Sequence, residues 1–208
     1  KDMTQNMNYE VSEQEGREEI KRYNAFAGEH EHIIAKSLFS SGFTWPGIFL
    51  AEDRFALSYL ASREDIDPNR LGCGGLSGGG LRTNYLAAVD DRVACSVTVG
   101  FMTSWLDLAL NTAYTHTWMI YIPILPQLMD YPDILGMRVP KATMVLATNE
   151  DPLFSFDAVK KAKEHLENIF RKAGKRDNFC MKFYDGPHKF DLPMQTDAFV
   201  WFDSYLKK

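Results

Sequence analysis

The chain has 208 residues, 45% of them hydrophobic and 25% charged, with a net charge of −5. That length suits one domain, 1–208, with a sizeable core. The acidic balance excludes nucleic acid as the main partner, because phosphate binding needs concentrated positive surface, and the lack of a long apolar run excludes a membrane-spanning helix.

Residues 1–11 are polar and aperiodic and read as a loop. Ser12 and Glu15 have capping-box spacing and open a helix that carries Ile20, Tyr23 and Phe26 on one side. The stretch from Ile33 to Phe39 continues that helix past Gly28, so residues 1–47 form a mostly helical N-terminal segment. Ser40-Ser41-Gly42 ends it, and Trp45-Pro46-Gly47 reads as a turn or short irregular piece. A helix from about Ile48 to Ser62 follows, with Phe49, Phe55, Ala56, Leu57 and Leu60 on its apolar side. Asp65-Ile66-Asp67-Pro68-Asn69 is a loop that feeds a short strand, Arg70 to Gly74.

After a glycine-rich turn comes a helix over Leu81 to Val89, then a β-branched strand over Val93 to Val99. Residues 101–136 combine Trp and Met clusters with Pro123, Pro126 and Pro132, which predicts an irregular, partly helical insertion above the sheet. A buried strand, 142–147, follows Pro140. An amphipathic helix over 154–173 is closed by Gly174, a further strand spans 179–184, and the last helix runs from about Met194 to Leu206. Continuous apolar strands alternating with helices imply an α/β fold: a mostly parallel sheet of about four strands, covered on both faces.

The turn before the third helix reads Gly75-Leu76-Ser77-Gly78-Gly79, the nucleophile-elbow pattern G-x-S-x-G. Such a serine sits on a strained strand-to-helix turn with its hydroxyl above the sheet. Any Cβ at the flanking glycines is expected to clash with the neighbouring strand and helix. The plainer alternative is a glycine-rich turn that binds phosphate or nothing, but the Gly-Lys-Ser/Thr of a P-loop is missing, since Leu81 and Arg82 follow.

A nucleophilic serine needs a base, and the base an orienting acid. In open α/β sheets such groups gather after the carboxyl ends of strands. After the 142–147 strand comes Asn149-Glu150-Asp151-Pro152, and after the 179–184 strand comes Asp185-Gly186-Pro187-His188. Ser77, Asp151 and His188 are therefore the candidates, with Glu150 and then Asp185 as rival acids. A helix cap for Asp151 and a solvated turn for His188 are the plainer alternatives. The Gly78 N–H would be one oxyanion donor. The second normally comes from a loop after an early strand, and no such strand is visible here.

In the insertion, Met102, Trp105, His116 and Trp118 are candidates for lining a substrate pocket, with core packing as the alternative. His30 and His32 are two apart, so they face different sides of a helix and suit a solvated face better than a metal site. His165 falls on the exposed side of its helix and is expected to be inert. No metal or organic cofactor is needed. Cys73, Cys95 and Cys180, odd in number and in apolar stretches, read as buried free thiols and point to a reducing, cytoplasmic setting.

Asp67-Pro68-Asn69-Arg70-Leu71-Gly72, the elbow, Asn149-Glu150-Asp151-Pro152 and Tyr184-Asp185-Gly186-Pro187-His188-Lys189-Phe190 together resemble the α/β-hydrolase superfamily, in its dienelactone-hydrolase and acetyl-xylan-esterase-like branch. The resemblance covers about residues 48–208. It implies Ser77 as nucleophile, His188 as base and Asp151 as acid, in the superfamily's chain order. It also implies hydrolysis of an ester, a small acyl group on a carbohydrate or another alcohol, with a peptidase of the same fold as the alternative. The superfamily places the nucleophile after a fifth strand, whereas here one strand precedes Ser77. A chain lacking the early strands, which starts at Lys1, is therefore the expectation. It would be completed by an upstream segment or a homo-oligomer contact, or remain a non-catalytic fragment that needs a partner.

Overall fold

The computed structural model describes residues 16–207. The expected capping pair Ser12 and Glu15 and the 1–11 loop lie outside them. α1 (Arg17–Ser40) runs unbroken through Gly28. α2 spans Trp45–Ala61. The Trp45-Pro46-Gly47 turn predicted from sequence is instead the first turn of this helix. Thr44 caps it by accepting from the Gly47 N–H at 3.1 Å, and proline belongs in a first turn, where its missing N–H is not needed. α2 also buries a narrower stripe than its pattern suggested. Phe49 and Leu57 are buried, but Phe55, Ala56 and Leu60 are exposed, Phe55 at 78%.

The remainder alternates strand and helix. β1 (Leu71–Leu76) leads into α3 (Gly78–Val89), and β2 (Val93–Val99) into the insertion. The insertion holds α4 (Trp105–Leu110), two single 3-10 turns, α5 (Leu125–Leu128) and α6 (Tyr131–Gly136). β3 (Ala142–Thr148), α7 (Phe156–Lys172), β4 (Phe179–Tyr184) and α8 (Leu192–Leu206) complete the described chain. The four strands lie side by side in sequence order, and every pairing is parallel.

Strands added one after another in one direction, through right-handed crossovers, place their connecting helices on a common face. On that face Leu81 and Tyr85 of α3, Ile134 and Leu135 of α6, and Val159, Ala162 and Leu166 of α7 pack with Val145 and Met181 of the sheet. The strand residues of opposite parity, Val97, Val99, Met144 and Leu146, meet Met194 and Ala198 of α8 on the other face. β3, sandwiched and central, is buried at all seven positions. β1 pairs with β2 alone among the described residues, and its Leu76 is 36% exposed.

At the amino ends of the strands, buried Arg138 donates to the Val93 and Ala142 carbonyls and to the Thr143 hydroxyl. Burial without a carboxylate partner lowers its pKa to about 10. The three cysteines are free; Cys95 is buried, and Cys73 and Cys180 are half-buried. Burial pushes the Cys73 and Cys95 thiols up to about 12. Among the described residues no helix is long and apolar enough to cross a membrane.

Candidate active site

The carboxyl ends of β1, β3 and β4 bring Ser77, Asp151 and His188 to one end of the sheet. Ser77 sits between β1 and α3 with φ 57° and ψ −118°. That left-handed backbone is strained for a residue with a Cβ. It is held from both sides. The Ser77 N–H donates to the Val99 carbonyl at 2.9 Å, and its own carbonyl accepts from Leu81 N–H at 2.9 Å. The turn closes tightly only because residue 75 is glycine, for a Cβ there would stand 2.6 Å from the Gly79 carbonyl carbon. Gly78 and Gly79 have open space where a Cβ would go, so beyond the serine the steric demand falls on Gly80, where a Cβ would stand 2.7 Å from the Val99 carbonyl oxygen. The Gly78 N–H opens α3, where backbone donors lack intrahelical acceptors.

The loops after β3 and β4 are knitted together by Asn149. Its N–H donates to the Tyr184 carbonyl at 3.0 Å, its side-chain NH2 to Asp185 at 2.8 Å, and its side-chain oxygen accepts from Gly186 N–H at 3.2 Å. The Glu150 N–H adds a bond to the Gly186 carbonyl at 3.2 Å. This clamp aligns the next residue, Asp151, with His188. Asp151 Oδ2 lies 2.6 Å from His188 Nδ1, and Oδ1 accepts from Leu153 N–H at 3.0 Å. Of the rival acids, Glu150 is exposed and Asp185 is engaged by Asn149. The sequence reading did not single out Asn149, although an asparagine directly after a buried strand was the available signal.

The Asp151 side chain is 6% exposed and that of His188 21%. A carboxylate only accepts, so the proton between them sits on Nδ1 and leaves Nε2 with its lone pair. His188 Nε2 is buried and has no hydrogen-bond partner among the described residues. Its ring rests on Gly100, where a Cβ would approach His188 Cε1 to 2.8 Å. Gly100 has φ +59°, a conformation that suits glycine. Ser77 Oγ makes no hydrogen bond to Nε2 here; such bonds are often long before substrate arrives.

Of the pocket candidates, Met102 and Trp105 both belong to the buried core. Met102 is 2% exposed and packs in the core. Trp105, His116 and Trp118 share the wall of one cavity of about 760 Å³. His116 Nε2 lies 2.9 Å from the Leu153 carbonyl, to which it donates, and burial lowers its pKa. Phe101 and Phe154 pack against its ring at 5.9 and 5.0 Å between centroids. Two aspartates fix the insertion. Buried Asp107 accepts from Thr103 Oγ1 at 2.7 Å, Asn111 Nδ2 at 3.0 Å and Ser155 N–H at 3.1 Å. Asp130 accepts from the Trp105 and Tyr131 N–H groups, both at 2.8 Å. The spacings Ser104 to Asp107 and Asp130 to Asp133 were the legible signals for these caps.

His30 stacks on Phe26 and places Nδ1 2.7 Å from its carbonyl, and no metal-binding cluster of His, Cys, Asp or Glu is found among the described residues. His165, expected to be inert, instead bonds Asp133 at 2.5 Å and ties α7 to α6.

A parallel sheet covered on both faces, a strained serine between strand and helix, and a histidine–carboxylate pair beyond later strands define the α/β-hydrolase class. Within it the chain belongs to the prolyl oligopeptidase family, whose model matches residues 51–186. It is 27% identical over 154 residues to "Putative hydrolase YtaP" of Bacillus subtilis (strain 168), covering 72% of this chain and 50% of that protein. Among solved structures it resembles a carbohydrate esterase family 15 glucuronoyl esterase from Caldicellulosiruptor kristjansonii. That match has a TM-score of 0.64 and 13% identity over 78% of this chain and 50% of the other. A "putative acetyl xylan esterase" of Bacteroides fragilis NCTC 9343 matches with TM-score 0.63 and 16% identity, over 74% and 40%. The chain thus spans about half the length of these relatives or less. The curated relative is named as a putative hydrolase, and both solved structures are named as esterases.

Proposed function

We propose that the chain acts as a serine hydrolase of carboxylic esters. Ser77 is the nucleophile, His188 the general base and Asp151 the group that orients it. The observation that carries this assignment is the 2.6 Å contact between Asp151 Oδ2 and His188 Nδ1, with Nε2 free beyond it. In the first step Nε2 takes the Ser77 proton while Oγ attacks the ester carbonyl. Asp151 stabilises the imidazolium that results. The Gly78 N–H, at the positive end of α3, donates to the developing oxyanion. The imidazolium then protonates the departing alcohol, leaving an acyl-enzyme on Ser77. Water, activated by the same Nε2, releases the acid.

Family membership favours a second reading, cleavage of peptides through the same three residues. The names of the structural neighbours favour esters, and of these a small acyl ester on a carbohydrate is the narrower form. The test is to label the 208-residue chain with a fluorophosphonate and read the intact mass, with Ser77→Ala as control. One adduct, absent from the variant, is expected. A folded protein that takes no adduct would refute the assignment and leave a non-catalytic chain that needs a partner segment. Matched ester and peptide panels then separate the two substrates.

A further inference from the structure

We infer that the ester carries a bulky apolar group, which lies in the cavity between α1 and the insertion; this rests on the ester-hydrolase assignment above. The cavity, about 760 Å³, has a size that suits a small organic ligand. Its wall includes Phe39 of α1, Trp105 and Leu108 of α4, His116, Trp118 and Tyr121. Among the described residues no Asp, Glu, Lys or Arg lines it.

Of the polar groups on this wall, His116 and Tyr121 are engaged within the chain, Trp105 Nε1 is buried with no hydrogen-bond partner among the described residues, and Tyr114 and Gln127 add a hydroxyl and an amide. His116 Nε2 donates to the Leu153 carbonyl at 2.9 Å, and Tyr121 OH to the Ala113 carbonyl at 3.3 Å. A uronate needs a cation. This wall has none among the described residues, whereas an alkyl or aryl group can pack on the rings and aliphatic side chains that make up most of it.

The cavity wall adjoins the candidate acid, for His116 donates to the carbonyl of Leu153, whose N–H donates to Asp151 Oδ1. His116 on its wall packs against Phe101. Phe101 follows Gly100, on which the His188 ring rests. An ester with its carbonyl at Ser77 would extend its non-reacting end toward His116 and the cavity. Burial at about 0.8 kcal/mol per methylene corresponds to roughly fourfold per carbon at the fullest.

The experiment compares kcat/KM for methyl acetate, methyl hexanoate, hexyl acetate and an acetylated methyl xyloside, by acid release at constant pH. Methyl hexanoate or hexyl acetate, or both, is expected to exceed methyl acetate by about tenfold or more. Which of them does so tells whether the cavity takes the acyl or the alcohol side. Ala113→Phe fills the cavity, and Ala109→Phe does so from the exposed face of α4 with little risk to folding. Either should remove the advantage while leaving methyl acetate within about twofold.

A second arm does not depend on turnover. 2-Nonanone, an uncleavable isostere of hexyl acetate, is titrated against wild type and Ser77→Ala and followed by tryptophan fluorescence. Saturable binding that both filling variants abolish is expected. No saturable binding, or hexyl esters no better than methyl acetate or the acetylated xyloside, overturns the inference. A missing fluorophosphonate adduct with 2-nonanone still bound would instead refute the hydrolase assignment and leave the cavity as a ligand site.

Discussion

The loops at the carboxyl end of the sheet and the 101–136 insertion above them solve the same problem differently. Each loop residue is placed by a strand that ends and a helix that starts, so Ser77, Asp151 and His188 inherit their positions from the parallel ladder. The insertion contains no strand, and its helices α4, α5 and α6 have six, four and six residues. It is held instead by single buried groups, chiefly Asp107 and Asp130. The chemistry proposed for Ser77, Asp151 and His188, which must be exact to a fraction of an ångström, sits on the regular part. The surface that would select substrates sits on the part whose shape a few side chains determine.

The contrast can be broken first at the sheet end. Asp151→Asn keeps the shape but offers Nδ1 a side chain that can also donate, which favours the wrong tautomer. kcat is expected to fall about 10⁴-fold with little change in thermal stability. A drop below tenfold in steady-state rates would argue against Asp151 as the orienting group. Gly100→Ala should be next, because its Cβ would press on the His188 ring at 2.8 Å from a left-handed backbone. A displacement of this kind costs about 10² in rate, and the strain about 1–3 kcal/mol in a denaturant melt.

The insertion should respond the other way, in stability and selectivity before chemistry. Burial would raise the Asp107 carboxyl, but hydrogen bonds from Ser155, Asn111 and Thr103 outweigh it and hold the pKa below the ordinary value. A depressed carboxylate contributes stability that is present above its unfolded pKa of about 4 and lost as the pH falls through the folded value. Asp107→Ala is therefore expected to cost about 2–3 kcal/mol at neutral pH. It should also flatten the loss of stability below about pH 4, as read by urea melts across pH. Ester selectivity should change more than the rate of fluorophosphonate labelling.

The smallest effect separates strain from chemistry at one residue. Ser77→Gly relieves a positive φ that Ser77→Ala retains. Both should be inactive, with the glycine variant more stable by about 1 kcal/mol. Equal melting of the two would mean that the elbow stores no strain.

The legible and illegible parts divide along this same line. The strands over 93–99 and 179–184 coincide with their hydrophobic patterns, because buried parallel strands are continuous β-branched or apolar runs. The β1 boundary was short by two residues, since glycines hide a strand from pattern reading. α2 was misjudged at both its start and its apolar face. Pro46 resembles a turn residue until Thr44 is seen capping the helix, and Phe55 and Leu60 have helical spacing but no partner among the described residues to cover them. In the site, the elbow and the order of serine, acid and histidine could be read directly. The Asn149 clamp could not, because its partners Tyr184, Asp185 and Gly186 are some 35 residues away in sequence.

The sequence by itself determined the alternation of strand and helix, the parallel sheet and the three residue types that follow its strands. These depend on short-range periodicity and turn chemistry, which neighbouring residues specify. The tertiary structure decided which carboxylate meets His188, and that Met102 packs in the core while Trp105, His116 and Trp118 share a cavity with Phe39 of α1. Those outcomes depend on contacts between segments far apart in the chain, where one hydrogen bond or one ring against a glycine chooses among residues that look equivalent in sequence.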